Sequence, residues 1–444
     1  MLLAERLRRA RGGVCIRPMP LSANQQTRAD RRGAFRLLFI CLMAVGIGNS
    51  MLFAILPPLA RDIGIAEIYV GAIYTLSALM YLTMSPVWGG LSDQYGRRPL
   101  VIFGLATYAI STLILAAGAW AGQSGFLPPL VAVLAMALAR ALFGAFGSAT
   151  GPAAQAYVAD RTAPAERTQA LAGMTAAFAL GGMIGPALAA AFSERIGMVP
   201  FMIMIAVLVG ACAIIVRLTL PENTPPRDRG RRPLNPIAQF AFAADHRVRA
   251  FVLYGCAAWL VQAASLQAIG FFVMDRLALD TTAGLQLAGV ALTAGAAALI
   301  FAQLVAVPAL KVSPRMLMMI GAALTLAGQA ELIFSGGYAS IVLGFLLNSL
   351  GFGFARSGFT GGSSLAVTPG EQGRAAGVTA ATAGLGFLIA PLSGLWLYQT
   401  VGPTAPFMLN VALSLVALAI AAFHPRVRLA AEPFEAGEDE GGVV

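Results

Sequence analysis

Long apolar stretches follow one another along the chain, each of about twenty residues or more and each closed by a short polar or charged segment. Twelve can be counted, over roughly 37–60, 68–90, 99–121, 128–158, 168–192, 199–220, 250–274, 284–309, 315–336, 338–366, 374–398 and 403–424. Within each stretch the apolar positions are continuous rather than alternating. That excludes the wall of a β-barrel and predicts helices long enough to cross a bilayer. The fourth and tenth are long enough to hold turns outside the bilayer as well. The predicted fold class is therefore all-α and membrane-integral, with twelve transmembrane helices.

Composition agrees. Of 444 residues, 58% are hydrophobic and 11% charged, where a soluble domain carries about a quarter charged residues. The net charge of +10 raises the question of nucleic acid, and the placement of the arginines answers it. With an even number of spans, both ends of the chain lie on one side. Segments on that side hold nearly all the basic residues, while the opposite loops hold only Arg61, Arg195 and Arg276. This asymmetry places both termini in the cytoplasm and implies a lipid bilayer, not nucleic acid, as the partner. Arginine outweighs lysine, and alanine and glycine abound, which points to a GC-rich bacterial genome and a multi-pass protein of the cytoplasmic (inner) membrane. The basic start lacks a short apolar core with a cleavage site, so no signal peptide is expected.

The charge pattern also divides the chain. Residues 1–35 read as a basic arm, 36–220 as a six-helix bundle, and 221–248 as a Pro- and Arg-rich linker. A second six-helix bundle follows over 249–424, and 425–444 is an acidic tail. The halves echo each other. Pro164, Glu166 and Pro186 fall at the spacing of Pro369, Glu371 and Pro391, and Pro200-Phe201 returns as Pro406-Phe407. Two six-helix halves in the same orientation are the repeat arrangement of one large class of transporters.

Three local patterns carry candidate chemistry. "GGLSDQYGRRPLV", from Gly89 to Val101, ends the second apolar stretch. Arg97 and Arg98 fix the inner side, Gly96 permits a tight turn, and Gly89 and Gly90 allow close helix packing. Asp93 is placed to pair with Arg97 and to face the positive end of a neighbouring helix. The second pattern is "ARALFGAFGSATGP", with Arg140 and Gly144 inside the fourth span. A charge there costs at least ~2.5–3.5 kcal/mol on the insertion scale, so it marks function or a buried polar contact. The third is "ALGGMIGPALAAAF", with Gly181, Gly185 and Pro186 in the fifth span. Its small residues allow close packing, expected against the eighth span, and its proline permits a bend.

Together these patterns resemble the major facilitator superfamily over essentially all twelve spans, and most closely its twelve-helix drug:proton antiporters. The first pattern is similar to the signature loop between helices 2 and 3, with Gln94 in place of the usual basic residue and Val101 in place of the final leucine. The resemblance implies that Asp93 meets helix 11, near Arg374, and that this contact breaks during the transport cycle. It implies proton coupling through Arg140. Gly181, Gly185 and Pro186 resemble the antiporter motif of helix 5, with Ala189 and Ala190 replacing its closing glycines. Pro57 and Pro58 resemble a helix 1 pattern of drug exporters, but the acid that many of these carry in helix 1 is missing. Asn49 is the deepest polar residue there.

Glu331 is the clear intramembrane acid and the candidate proton carrier beside Arg140. Gln262, Gln267, Asn348, Arg356 and Asn49 are candidate cavity residues, and Arg356 suits either a substrate with an anionic group or a lipid phosphate. No cofactor is expected, since a proton gradient supplies the energy and no GxxxxGK[ST] loop exists. No metal spacing is present among Cys15, Cys41, Cys212, Cys256, His246 and His424. No HExxH, GxSxG or intramembrane histidine exists, so an enzyme is not expected. The reading is a monomeric secondary transporter of a small organic substrate, working by alternating access. Proton-coupled efflux of drug-like or amphiphilic compounds leads, and proton-coupled import of an organic anion, peptide or other nutrient is the alternative.

Overall fold

A computed structural model describes residues 23–222, 242–368 and 371–429. Twelve helices in the described residues are long and apolar enough to cross a membrane. In chain order they are α1 (Ala23–Ile63), α2 (Glu67–Tyr95), α3 (Arg97–Gln123) and α4 (Pro129–Asp160), then α5 (Pro164–Ile196) and α6 (Met198–Thr219). The second half holds α7 (Arg249–Leu277), α8 (Thr281–Leu310), α9 (Pro314–Phe334) and α10 (Tyr338–Leu365), then α11 (Gln372–Thr400) and α12 (Ala405–Phe423). A short α13 (Pro425–Leu429) follows.

The boundaries follow from local chemistry. Gly96 is the lone residue between α2 and α3, and its φ of +94° turns the chain where a residue with a Cβ would be strained. Gly197 does the same between α5 and α6, at φ +88°. Proline opens α4, α5 and α9 in the first turn, where a missing N–H leaves nothing unsatisfied. Asp280 caps α8 by accepting from the Ala283 N–H at 2.7 Å.

Some elements differ from the reading of the sequence. The first helix begins at Ala23, inside the segment read as a basic arm. Neither α4 nor α10 is interrupted by a non-helical turn. α4 tightens to a 3₁₀ turn over Gly147–Ala149 and continues as helix, and α10 runs unbroken. α8 contains a π-turn over Ala302–Ala306, just before Pro308, whose missing N–H interrupts the regular ladder. Residues 1–22, most of the linker (223–241), 369–370 and the tail from 430 lie outside the described residues.

Each half packs as the other does. α1 lies along α5 as α7 lies along α11, and α3 meets α6 as α9 meets α12. The halves join through α2 with α11 and α5 with α8, and also through α1 with α7 and α8. The face carrying the ends of the described chain is called the basic face below, and the opposite one the far face.

Candidate functional site

Glycines bring the helices around the centre close. A Cβ on Gly144 would strike the Ser77 carbonyl of α2, and one on Gly48 would strike the Tyr108 hydroxyl of α3. Where these helices meet, Arg140 of α4 is 4% exposed. Its Nη2 donates to Asn49 Oδ1 of α1 at 2.9 Å. Its guanidinium lies 4.4 Å from the centre of the Phe143 ring, a cation–π contact. Phe143 in turn meets Tyr108 edge-on at 4.7 Å, and Tyr74 of α2 stacks on Phe53 of α1 at 5.2 Å.

No carboxylate among the described residues lies within ion-pair distance of Arg140. Its Nε and the hydroxyls of Tyr74 and Tyr108 are buried without a hydrogen-bond partner, although both tyrosines lie close enough to interact with it electrostatically. Buried polar groups are normally satisfied, so the centre of this half holds unused hydrogen-bonding capacity around a fixed positive charge.

The other half is arranged differently. Asn348 Nδ2 donates to Gln262 Oε1 at 3.0 Å, and Gln329 Nε2 donates to Asn348 Oδ1 at 2.8 Å and to Ser265 Oγ at 2.9 Å. Asn410 Nδ2 donates to Ser265 Oγ at 3.1 Å and to Gln329 Oε1 at 3.2 Å. All five residues are buried. Gln262 and Asn348 were expected to line a cavity. The structure turns them toward each other instead, because amides inside a helical bundle satisfy one another when neighbouring helices carry them at the same depth. Gln267 is the exception, buried with neither amide atom paired.

Glu331 is not brought to Arg140. It sits one turn from the far-face end of α9 and accepts from the Ser340 hydroxyl of α10.

At the far face the halves are bound by charge. Arg61 Nη2, at the end of α1, is 2.7 Å from Glu67 Oε1 of α2 and 3.0 Å from Asp275 Oδ2 of α7. Tyr398 of α11 donates to the same Asp275 oxygen at 2.6 Å, and the Ile68 N–H donates to Gln399 Oε1 at 3.4 Å. Deeper in, Thr75 Oγ1 donates to the Leu388 carbonyl at 3.0 Å. Three glycines let the halves touch: Gly71 against the Pro391 carbonyl, Gly270 against Pro57 and Gly289 against Pro186 and Ala190. Toward the basic face the helices become exposed. No residue of α2 from Ala78 to Leu91 is buried, and none of α8 from Gln303 to Leu310. This structure is closed at the far face and parted toward the basic face. Sequence reasoning missed the Arg61 cluster, although Arg61 was one of only three basic residues on that side.

The signature loop sits at the basic face. Arg97 Nε donates to Asp160 Oδ2 of α4 at 3.1 Å, and its Nη1 donates to Ser92. The Arg98 N–H donates to Glu222 Oε2 at 2.6 Å, and its side chain reaches the Arg217 carbonyl, which ties the loop to the end of α6. Asp93 is in the last turn of α2, and its side chain lies outside the described residues. Gly89 and Gly90 were expected to permit close packing. A Cβ on Gly89 would make only ordinary contact with Pro152, and one on Gly90 would meet nothing. Gly181 and Gly185 were expected against α8, but they pack on α1, against the backbone of Met43 to Met51, while Pro186 alone of the three reaches α8.

The paired glutamates of the repeat occupy matching places. Glu166, opening α5, lies 3.9 Å from Arg31, about two turns into α1. Glu371, opening α11, accepts from Arg247 Nη1 at 2.9 Å and Nη2 at 3.0 Å, just ahead of α7. Hydrogen bonds from Arg247, then from Thr368, hold the Glu371 carboxyl down at about 2. The Asp245 carboxyl is likewise lowered to about 2, first by the Arg247 side chain. The two carboxylates raise Arg247 above the usual guanidinium range.

A sequence profile of the Major Facilitator Superfamily matches residues 38–306 and 260–442. The tetracycline resistance protein, class G, of Vibrio anguillarum is 33% identical over 190 residues, which is 42% of this chain and 44% of that protein. Multidrug resistance protein 1 of Bacillus subtilis is 26% identical over 42% of this chain and 44% of its own length. The chain thus matches under half the length of these curated relatives. The class H tetracycline resistance protein of Pasteurella multocida matches further, at 25% identity over 82% of this chain and 88% of that one. Among solved structures, the human organic anion transporter MFSD10 (TETRAN) superposes with a TM-score of 0.61 at 20% identity, covering 88% of this chain and 99% of that one. The nucleoside transporter NupG gives 0.71 at 14% identity with the same coverage.

Proposed function

Because the chain belongs to the Major Facilitator Superfamily, and so is a multi-pass transporter rather than an enzyme, we propose that it exports drug-like or amphiphilic organic compounds in exchange for protons. Similarity to tetracycline and multidrug resistance proteins supports efflux over import. The basic face is assigned to the cytoplasm by the positive-inside rule, which makes this the inward-open state of a protein of the bacterial inner membrane.

The observation that carries the coupling is Arg140, a buried charge held by Asn49 with an unused Nε–H and no carboxylate of the described residues in reach. Arginine keeps its proton throughout the physiological range. Its part is therefore electrostatic: it favours whichever state brings an anion or an oriented dipole to the free donor. The Arg61–Asp275 bridge holds the halves together at the far face, so it must part before the protein can open there. Glu331, hydrogen-bonded to Ser340 near the far end of α9, is the acid within the spans proposed for proton coupling.

Everted vesicles with an inside-acid gradient test this. Amphiphilic cations, neutral drugs and organic anions are added in turn while a pH dye reports proton release. Substrate-triggered release that Arg140→Ala abolishes supports antiport. No response to any compound, together with proton-driven uptake in right-side-out vesicles, replaces efflux with import.

A further inference from the structure

Arg356 of α10 is the second charge within the spans, and its environment differs from that of Arg140. At 1.5 Å per residue it lies roughly 27 Å along α10 from the far-face end, against roughly 16 Å for Arg140 along α4. It is therefore closer to the basic face, where the halves part. It is partly exposed, while Phe352, Phe354, Ala355, Gly358 and Phe359 around it are buried.

The helix faces give its direction. Gly351, Ala355 and Gly358 of α10 pack on α9. Phe352 and Phe359 meet Trp259 and Tyr254 of α7. Ser349 and Gly353 meet Gly295 and Ala302 of α8. At 100° per residue, Arg356 falls between the rows facing α7 and α8 and away from α9. Since α7 and α8 both contact the first half, this direction points to the space between the halves.

The guanidinium lies 5.6 Å from the centre of the Trp259 ring. That ring is packed by Phe352 at 4.6 Å and Phe387 at 5.8 Å. Among the described residues, no carboxylate pairs with Arg356 and no acceptor takes its side-chain donors. An arginine stacked on an indole keeps its fork free for a bidentate acceptor, and the adjoining rings offer an apolar surface.

We propose that Arg356 and Trp259 form a binding site for an aromatic carboxylate. The carboxylate takes the guanidinium fork and the ring lies on the Trp259–Phe352–Phe387 surface. This rests on the transport reading above and narrows its substrate class.

The test is equilibrium binding of radiolabelled 2-naphthoate to the full chain in phosphatidylcholine nanodiscs, with methyl 2-naphthoate as an uncharged competitor of the same ring. The wild type binds the acid at least about 10-fold more tightly than the ester, the order expected for charge-assisted hydrogen bonds. Arg356→Gln brings the ratio to about one with ester affinity held within ~2-fold, Arg356→Lys keeps a ratio above one, and Trp259→Leu weakens both ligands. Equal affinities on the wild type, no binding of either, or a ratio that survives Arg356→Gln overturns the assignment. A ratio that vanishes when phosphatidylglycerol enters the nanodisc assigns Arg356 to lipid phosphate and also overturns it. The readout involves no proton movement. It can fail while antiport of neutral compounds holds, and hold while antiport fails.

Discussion

Arg61 and Asp275, 214 residues apart, meet at 3.0 Å and close the far face by joining the first helix of one half to the first helix of the other. Glu67 and Tyr398 hold the two in place, so the bridge is the centre of a four-residue cluster. Asp275→Asn leaves the shape and removes the charge. For a pair about one third exposed the bridge is worth ~0.5–1 kcal/mol. The far-face-open population should therefore rise about 2–5-fold, measured by electron-spin distances between labels near Arg61 and Asp275. An unchanged distance distribution would deny the bridge any role in the equilibrium.

Arg140→Ala should lower substrate-coupled proton movement by more than ~100-fold while the protein inserts normally, since the charge, the Asn49 bond and the Phe143 contact go together. Arg140→Lys should not rescue it, because an ammonium cannot bond Asn49 and lie on Phe143 in one planar geometry. Asn49→Ala, which frees the guanidinium without removing it, should cost about 3–10-fold. Transport by Arg140→Lys at wild-type rates would count against this geometry.

The Glu371–Arg247–Asp245 cluster predicts a pH dependence of one sign. Both carboxyls are lowered to about 2 from ordinary values of 4.5 and 3.8. A depressed acid contributes stability above its unfolded value and loses it as pH falls through the folded one. Protection from amide exchange at the start of α11, taken relative to the intrinsic rate at each pH, should therefore hold from pH 7 to about 4.5 and fall between about 4 and 2. In Arg247→Gln the protection should be lost already at pH 7. Slow exchange there would place the anchoring elsewhere.

Gly71 and Gly289 occupy matching positions at the two sides of the seam. A Cβ on Gly71 would come 2.5 Å from the Pro391 carbonyl oxygen, and one on Gly289 would come 2.9 Å from that of Pro186. Backbone on the other side has little room to yield. Gly71→Val and Gly289→Val should each destabilise the far-face-closed state by ~1–3 kcal/mol. Labelling of a cysteine placed at the far face should then become at least about 5-fold faster in both. An effect from only one of them would show that the two contacts are not equivalent.

The twelve helices were legible because a bilayer demands long apolar runs, and the turn at Gly96 because two helices meet there with one residue between them. The direction of side chains within a span was not. Gln262 and Asn348 sit in helices apolar on every side, so nothing in the pattern distinguishes an amide facing a cavity from one facing its own bundle. Glu331 could be placed near a helix end but not paired with Ser340. The Arg61 cluster was hidden for another reason: its members are ordinary end-of-helix charges, and only the packing of the two halves brings them together. Trp259 looked like one aromatic among many until Arg356 was found over it.

The seam of Gly71 on Pro391 and Gly289 on Pro186 is one contact made twice. Seen this way, the two halves meet as two copies of a protein meet in a symmetric dimer, where a patch docks on its counterpart and each contact has a twin. A single chain is free of the rule that both twins must change at once. It can alter one side of the joint and leave the other as it was. Here the joint has kept its symmetry while the interiors have not: one half holds an arginine with no carboxylate beside it among the described residues, where the other has closed its amides on themselves.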